Sequence, residues 1–259
     1  MKVIITGGEG FIGKALAAAL SKRDVEVISV DRKNGKEVIP YFKTNSLQGI
    51  DCVYHLAAQT SVFNDNHPQI MYDNVESFMV VCDKCKDEGV KLVYASSSTA
   101  NSVNTTSLYG ISKRFDEGYA RCYNPAATGV RLHNVYGSDP RQDTLLWHLL
   151  NDKRVRLVNG GRNIRHFTYI DDVVEGLIYA SGCNRPLINV ANPATNAVLD
   201  FAMEVKKYNG AEIELLSEIR KFDKVEQSVD EKIFCVPLAY TSVREGIKHV
   251  FENLENRLL

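Results

Sequence analysis

The feature that most constrains this chain is a turn with three glycines, Gly7, Gly10 and Gly13, spaced G-x-x-G-x-x-G. A strand-like run, Lys2 to Thr6, precedes it, and Phe11 to Ser21 follows with the apolar and Ala content of a packed helix. A second strand-like run, Val25 to Val30, ends at Asp31. Glycine in such a turn lets a pyrophosphate approach the helix N-terminus, whose free N–H groups and dipole favour negative charge. Alone, three glycines mark only a tight turn. Here they leave a strand, open a helix and stand 18 positions before an acidic residue at the end of the next strand, the context of a dinucleotide site. Asp31 would accept hydrogen bonds from an adenosine ribose, and its charge would repel a 2′-phosphate, which favours NAD over NADP. Arg32 and Lys33 weaken that preference, since a neighbouring cation can accommodate the phosphate.

The pattern continues. Asp51 to Ala58 and Lys91 to Ser96 are apolar runs separated by Pro68 to Glu88, which reads as a helix ending at Gly89. Leu108 to Tyr123 reads as a further helix and Gly129 to Leu132 as a further strand. Alternating helices and continuously apolar strands predict an α/β fold, a doubly wound parallel sheet of the Rossmann type. After Gly137 the alternation loosens: a helix near Thr144 to Leu150, strand-like Val155 to Val158 and His166 to Ile170, a helix from Asp171 and a last helix near Thr241 to Asn256. The expected division is a dinucleotide-binding domain over 1–137, with returning segments near 160–192, and a smaller α/β substrate lobe over most of 138–259.

Composition removes other classes. With 31 Lys+Arg against 32 Asp+Glu and 44% hydrophobic residues in 259, the chain is neither a disordered polyelectrolyte nor, lacking any basic run, a nucleic-acid binder. Its first apolar run is too short for a signal peptide and no run is long enough to span a bilayer, so a cytoplasmic protein without a membrane partner is expected. The six cysteines are scattered; Cys82 and Cys85 form one close pair without the second that zinc would need, so no metal site is expected.

Tyr109 and Lys113, spaced i, i+4, share one face of the Leu108 to Tyr123 helix. An ammonium beside a phenol stabilises the phenolate and makes tyrosine a usable acid/base, although the same pair occurs on many surface helices. Order and surroundings decide between these readings. Thr6 to Gly13 (TGGEGFIG), Asp51 to Gln59 (DCVYHLAAQ), Tyr94 to Ser98 (YASSS) and Tyr109 to Lys113 (YGISK) occur in sequence. Together they resemble the extended short-chain dehydrogenase/reductase family, and within it the NAD-dependent nucleotide-sugar epimerases and dehydratases. Val130 to Gly137 is similar to that family's LRxFNVYG segment, Arg165 to Val173 to RDFVYVDDV, Ile188 to Pro193 to YNIGNP, Arg220 to Asp223 to RPxD, and Thr241 to Ile247 to TSLEEGL.

The resemblance implies roles. Tyr109 would be the acid/base on a sugar hydroxyl, Lys113 would bind the nicotinamide ribose and lower the tyrosine pKa, and Ser97 would hydrogen-bond the reacting oxygen. Ser98 is the alternative to Ser97, and Thr99 stands within reach of substrate. Phe11 and Ile12 of the glycine turn, Arg32, Leu56, Ala57, Ala58 and Asn74 would line the cofactor; Asn45 stands where the family often has an adenine-contacting Asp. Asn134, Arg165, Arg220 and Asp223 match contacts to a nucleotide-diphosphate sugar, whose diphosphate suits the planar arginine fork. A homodimer through the Pro68 to Glu88 and Leu108 to Tyr123 helices is also implied.

The chain departs from the family in three places. Ser97 is only 12 positions before Tyr109, so a loop is shortened, and Ala100-Asn101-Ser102 replaces the usual VYG step. His166 replaces the Asp of RDF. Ser98 and Thr99 occupy the places where 4,6-dehydratases carry an Asp-Glu pair, which disfavours dehydration. The expectation is therefore an NAD-dependent 4-epimerase of a nucleotide-diphosphate hexose. The rivals are an NADPH-dependent 4-ketosugar reductase and a non-catalytic dinucleotide-sensing protein of the same fold.

Overall fold

The computed structural model describes residues 1–62, 64, 66–103, 107–220 and 224–256. The strands are β1 (Lys2–Thr6), β2 (Glu26–Val30), β3 (Cys52–His55), β4 (Lys91–Ser97), β5 (Thr128–Leu132), β6 (Val135–Tyr136), β7 (Arg154–Leu157), β8 (Ile164–Arg165), β9 (Thr168–Tyr169), β10 (Leu187–Val190), β11 (Asn196–Ala197) and β12 (Glu212–Leu215). The helices are α1 (Phe11–Ser21), α2 (Val38–Thr44), α3 (His67–Ile70), α4 (Ser77–Asp87), α5 (Leu108–Tyr123), α6 (Leu145–Asn151), α7 (Ile170–Ser181), α8 (Val198–Asn209) and α9 (Val243–Glu255).

Six strands form one sheet in the order β2-β1-β3-β4-β5-β10, every pairing parallel. Parallel strands need crossovers, and helices supply them on both faces, which explains why Val3, Ile4 and Ile5 are all buried although neighbours point opposite ways. On one face Val3, Ile5, Tyr54, Val93 and Val130 pack with Leu16 and Leu20 of α1 and Val173 and Leu177 of α7. On the other, Ile4, Val53, Leu92 and Tyr94 meet Phe42 of α2, Phe78, Cys82 and Cys85 of α4, and Ala120 of α5. Cys82 and Cys85 are thus core residues, with burial as the main cause that pushes the Cys82 thiol up to about 12. The chain runs outward from β1 to β2 and returns on the other side of β1 as β3. The loops leaving their carboxyl ends diverge there and open a crevice.

The segment read as one helix over Pro68 to Glu88 is continuous but not uniform. Asn66 caps α3, accepting from the Gln69 N–H, a π-helical stretch Met71–Glu76 intervenes, and α4 ends before Gly89 in a left-handed conformation (φ 68°). The π stretch turns Asp73, Asn74 and Val75 inward.

Beyond β5 the secondary structure breaks into short pairs: β6 with β9, β8 with β11, and β7 with β12. Their apolar residues, with those of α6, α8 and α9, form a third core around Tyr136, Leu149, Phe167, Phe201, Ile247 and Val250. Helix α7 and β10 return to the main sheet, β10 pairing with β5. Among the described residues no helix is long and apolar enough to cross a membrane.

Candidate active site

The glycine turn is tight because backbone meets backbone. Gly7 takes φ 69°, its N–H bonds the Val30 carbonyl, and the Gly10 N–H bonds the Gly7 carbonyl (3.0 Å). A Cβ on Gly13 would stand 2.2 Å from the Gly7 carbonyl oxygen, so no other residue fits there without moving the turn. Helix α1 begins at Phe11 with no side chain capping it, which leaves its first N–H groups directed at the crevice. Gly7, Gly10, Phe11, Ile12, Gly13, Asp31, Arg32, Leu56, Ala57 and Ala58 all line one cavity of about 1200 Å³. Its first arm therefore fits a dinucleotide.

Asp31 sits at the lip, its carboxylate accepting from the backbone N–H groups of Lys33 (2.9 Å) and Glu9 (3.1 Å). Arg32 is turned inward to Asp73 (2.6 Å), which also accepts from the amides of Gln59 and Gln69. Burial raises the Asp73 carboxyl, but these three donors outweigh it and leave its pKa lowered. Two expected cofactor residues do not reach the cavity. Asn45 is exposed at the C-terminus of α2 and spends its amide on the Tyr41 carbonyl (2.9 Å). Asn74 is fully buried behind the wall, bonding both backbone groups of Gln59 and the Ser112 hydroxyl (3.0 Å). It braces the loop after β3 against α5.

The second arm holds the acid/base residues. Ser97 ends β4 and starts a single 3₁₀ turn, Ser98–Ala100, its hydroxyl 2.9 Å from that of Thr99. Helix α5 starts directly above, capped by Ser107, whose hydroxyl accepts from the Gly110 N–H (3.2 Å). Gly110 makes the approach possible: a Cβ there would lie 2.8 Å from the Thr99 carbonyl oxygen. Tyr109, on the first turn, is half-buried, and it lines the cavity together with Ser97, Ser98, Thr99 and Lys113. Lys113 is 2% exposed and paired to Asp116 at 3.0 Å. Burial works against its charge, yet Asp116, Tyr109 and Glu117 outweigh it and raise its pKa. His55 lies behind, its Nδ1 2.8 Å from the Thr6 hydroxyl; burial first, and the Lys113 charge second, push it down to about 3, so it is a neutral core residue.

The third arm is lined by the short strand pairs and loops that follow β5 and surround the third core, here called the lobe. Asn134 adopts a left-handed conformation (φ 35°), and its amide donates to Gln227, which also accepts from Ser98 (3.4 Å). Arg165 is buried, with its guanidinium bonded to the carbonyls of Ile164 (2.7 Å), Lys224 (2.7 Å) and Val225 (3.3 Å). It therefore ties β8 to the returning chain as well as lining the cavity. Arg220 also lines it, while Asp223 lies outside the described residues. His166 bonds the Asn192 carbonyl and stands edge-on to the buried His133.

Three contributors went unread in the sequence. Gln227 and Arg141, which reaches the Thr60 hydroxyl across the cavity, come from loops with no local pattern. Asp116 did carry a signal, the i+3 spacing from Lys113.

A family model described as "NAD dependent epimerase/dehydratase family" matches residues 3–190. Protein CapI of Staphylococcus aureus is 32% identical, the match covering 68% of this chain and 68% of that protein. UDP-glucuronate 4-epimerase 4 of Arabidopsis thaliana is 28% identical over 69% of this chain, which spans about half of it (53%). Among solved structures, MoeE5 in complex with UDP-glucuronic acid and NAD superposes with a TM-score of 0.83 at 24% identity, covering both chains fully; that likeness is one of fold.

Proposed function

We propose that this chain, which belongs to the NAD dependent epimerase/dehydratase family, is an NAD-dependent nucleotide-sugar epimerase that inverts carbon 4 of a nucleotide-diphosphate hexose. One observation carries the reading: Ser97, Tyr109 and Lys113 line the same cavity as the glycine turn, with Asn134, Arg165 and Arg220 beyond them. The similarity to a UDP-glucuronate 4-epimerase supports the reaction class. NAD, when bound along the first arm, supplies a hydride acceptor that becomes the donor for the return step. Tyr109 takes the proton from the sugar's 4-hydroxyl as carbon 4 is oxidised and gives it back after the 4-keto sugar has turned over. Lys113 favours the phenolate form of Tyr109 by its charge, and the Ser97 hydroxyl donates to the 4-oxygen. Ser98 and Thr99 offer hydroxyls where elimination of water would call for an acid and a base, so the residues suit epimerisation better than dehydration. Arg32, held by Asp73, leaves Asp31 to meet the adenosine ribose, which supports NAD over NADP.

Exposed Met71, Tyr72, Ile111, Phe115 and Tyr123 lie along the π stretch and α5, and such a face suits packing against a second copy. Purified protein is accordingly expected to scatter light as a dimer; a monomeric mass would remove that part of the reading. Incubated with NAD and a panel of UDP-, GDP-, dTDP- and CDP-sugars, it should make a new 4-epimer without net reduction of cofactor. Tyr109→Phe should bind cofactor normally but lose turnover by about 10²-fold or more. Full turnover in that variant would overturn the assignment, and consumption of NADPH on a 4-keto sugar would replace the epimerase with a reductase.

A further inference from the structure

Helix α5 carries a carboxylate that the proposed reaction does not use. Asp116, one turn beyond Lys113, is fully buried, as is the lysine's ammonium, and the two meet at 3.0 Å. Only one carboxylate oxygen is engaged; Oδ1 has no hydrogen-bond partner among the described residues. A buried ion pair with an unsatisfied oxygen is a poor stabilising device, because desolvation of both ions offsets most of their attraction. Its value must therefore be sought in what it does to its neighbours. Lys113 interacts electrostatically with Tyr109, so whatever balances the ammonium is felt at the phenol.

We infer that Asp116 is a positioning residue for the acid/base pair: it fixes the Lys113 ammonium in place and, by balancing its charge, governs the pH at which Tyr109 releases its proton. The inference rests on reading Tyr109 and Lys113 as that pair. An ammonium fully balanced by an adjacent carboxylate favours the phenolate less than a lone one does, so a neutral Asp116 makes Tyr109 more acidic and an ionised one makes it less so.

The surroundings decide where Asp116 changes charge. Facing the pair are Tyr109 and Glu117 on α5, His55 on β3, Tyr94 on β4 and Cys82 on α4. Glu117 is itself engaged, held by Arg131 of β5 through two contacts of 2.7 Å and by the Ser96 hydroxyl, so Lys113 is the cation bonded to Asp116. Burial is the largest influence on Asp116 and drives its carboxyl up to about 7 against the pull of Lys113. The carboxylate that balances the Lys113 ammonium is therefore held by that contact against the cost of burial, and removing its charge leaves the ammonium facing Tyr109 unbalanced.

The test needs no turnover. The near-ultraviolet absorbance of tyrosinate is followed against pH in the wild type and in Asp116→Asn, each corrected by the matching Tyr109→Phe protein. The Tyr109 midpoint is expected to fall by about one pH unit in Asp116→Asn, roughly a tenfold change in its acid constant. Asp116→Glu should restore the higher midpoint. If Asp116→Asn does not accumulate folded, Asp116→Ser removes the same charge with a smaller side chain. An unmoved midpoint in a folded neutral variant overturns the inference. Failure of the acid/base reading shows separately, as undiminished turnover in Tyr109→Phe on the otherwise unaltered protein.

Discussion

The sheet and the lobe make the same cavity by opposite means. On the sheet side the wall is main chain: a glycine turn in which the Gly13 Cα comes against the Gly7 carbonyl, N–H groups at the head of α1, and the loop after β3. On the lobe side it is side chain, with Arg165 bonded to three carbonyls and Asn134 and Ser98 meeting on Gln227. Main-chain walls need particular residues at particular spacings, whereas side-chain walls can be rebuilt from many residue sets. The sheet side therefore suits a cofactor that does not change, and the lobe side suits a substrate that differs between relatives.

Three substitutions sharpen or break that contrast. Gly13→Val has the largest expected effect. Its Cβ would collide with the Gly7 carbonyl, so the protein should lose bound NAD altogether and about 3 kcal/mol of stability, read by nucleotide content after purification and by denaturant unfolding. Normal NAD content in that variant would break the claim that the backbone makes this wall.

Arg165→Leu should act on the lobe alone. The carbonyls of Ile164, Lys224 and Val225 lose the guanidinium, Val225 keeping the Ile164 N–H, at a cost of about 2 kcal/mol; substrate KM rises, and NAD content stays that of the wild type. A matching loss of NAD would show that the two walls are not independent.

His133→Phe probes the seam where β5 hands over to the lobe. Burial above all, with His166 and Arg131 adding to it, pushes the His133 imidazole down to about 3 from an ordinary value near 6.5. Because the folded-state pKa lies below the unfolded one, the stability linked to His133 is present above pH 6.5 and is lost as pH falls toward 3. The variant should thus gain on the wild type between pH 8 and pH 5 by about 2 kcal/mol, measured by thermal unfolding at the two pH values. Equal differences at both would mean that packing, not titration, dominates this site.

The same contrast governs what could be read beforehand. Helices α1 and α5 span the residues the sequence predicts, Phe11–Ser21 and Leu108–Tyr123, because their causes lie within the segments themselves. Helix α2 has no counterpart in the sequence pattern: seven residues with a proline in the first turn carry too little periodicity, and only the packing of Ile39 and Phe42 fixes it. Strands of two residues, such as β8 and β11, have no period at all and exist because their partners do. Asn45 and Asn74 show the same limit within the site. Their positions matched cofactor contacts, yet an exposed helix end and a buried loop brace claimed their amides.

The sequence by itself determined the elements whose causes are local: the glycine turn, the acid at the end of β2, the Tyr109 and Lys113 pair one helical turn apart, and the alternation that makes a parallel sheet. Tertiary structure alone decided how Arg32 is turned to Asp73, how Arg165 and Gln227 close the lobe, and that Asp116 and Lys113 are both buried where they meet. The reason is physical. Spacing along the chain sets which side chains share a face, but burial and competing hydrogen-bond partners set where each points and what charge it carries.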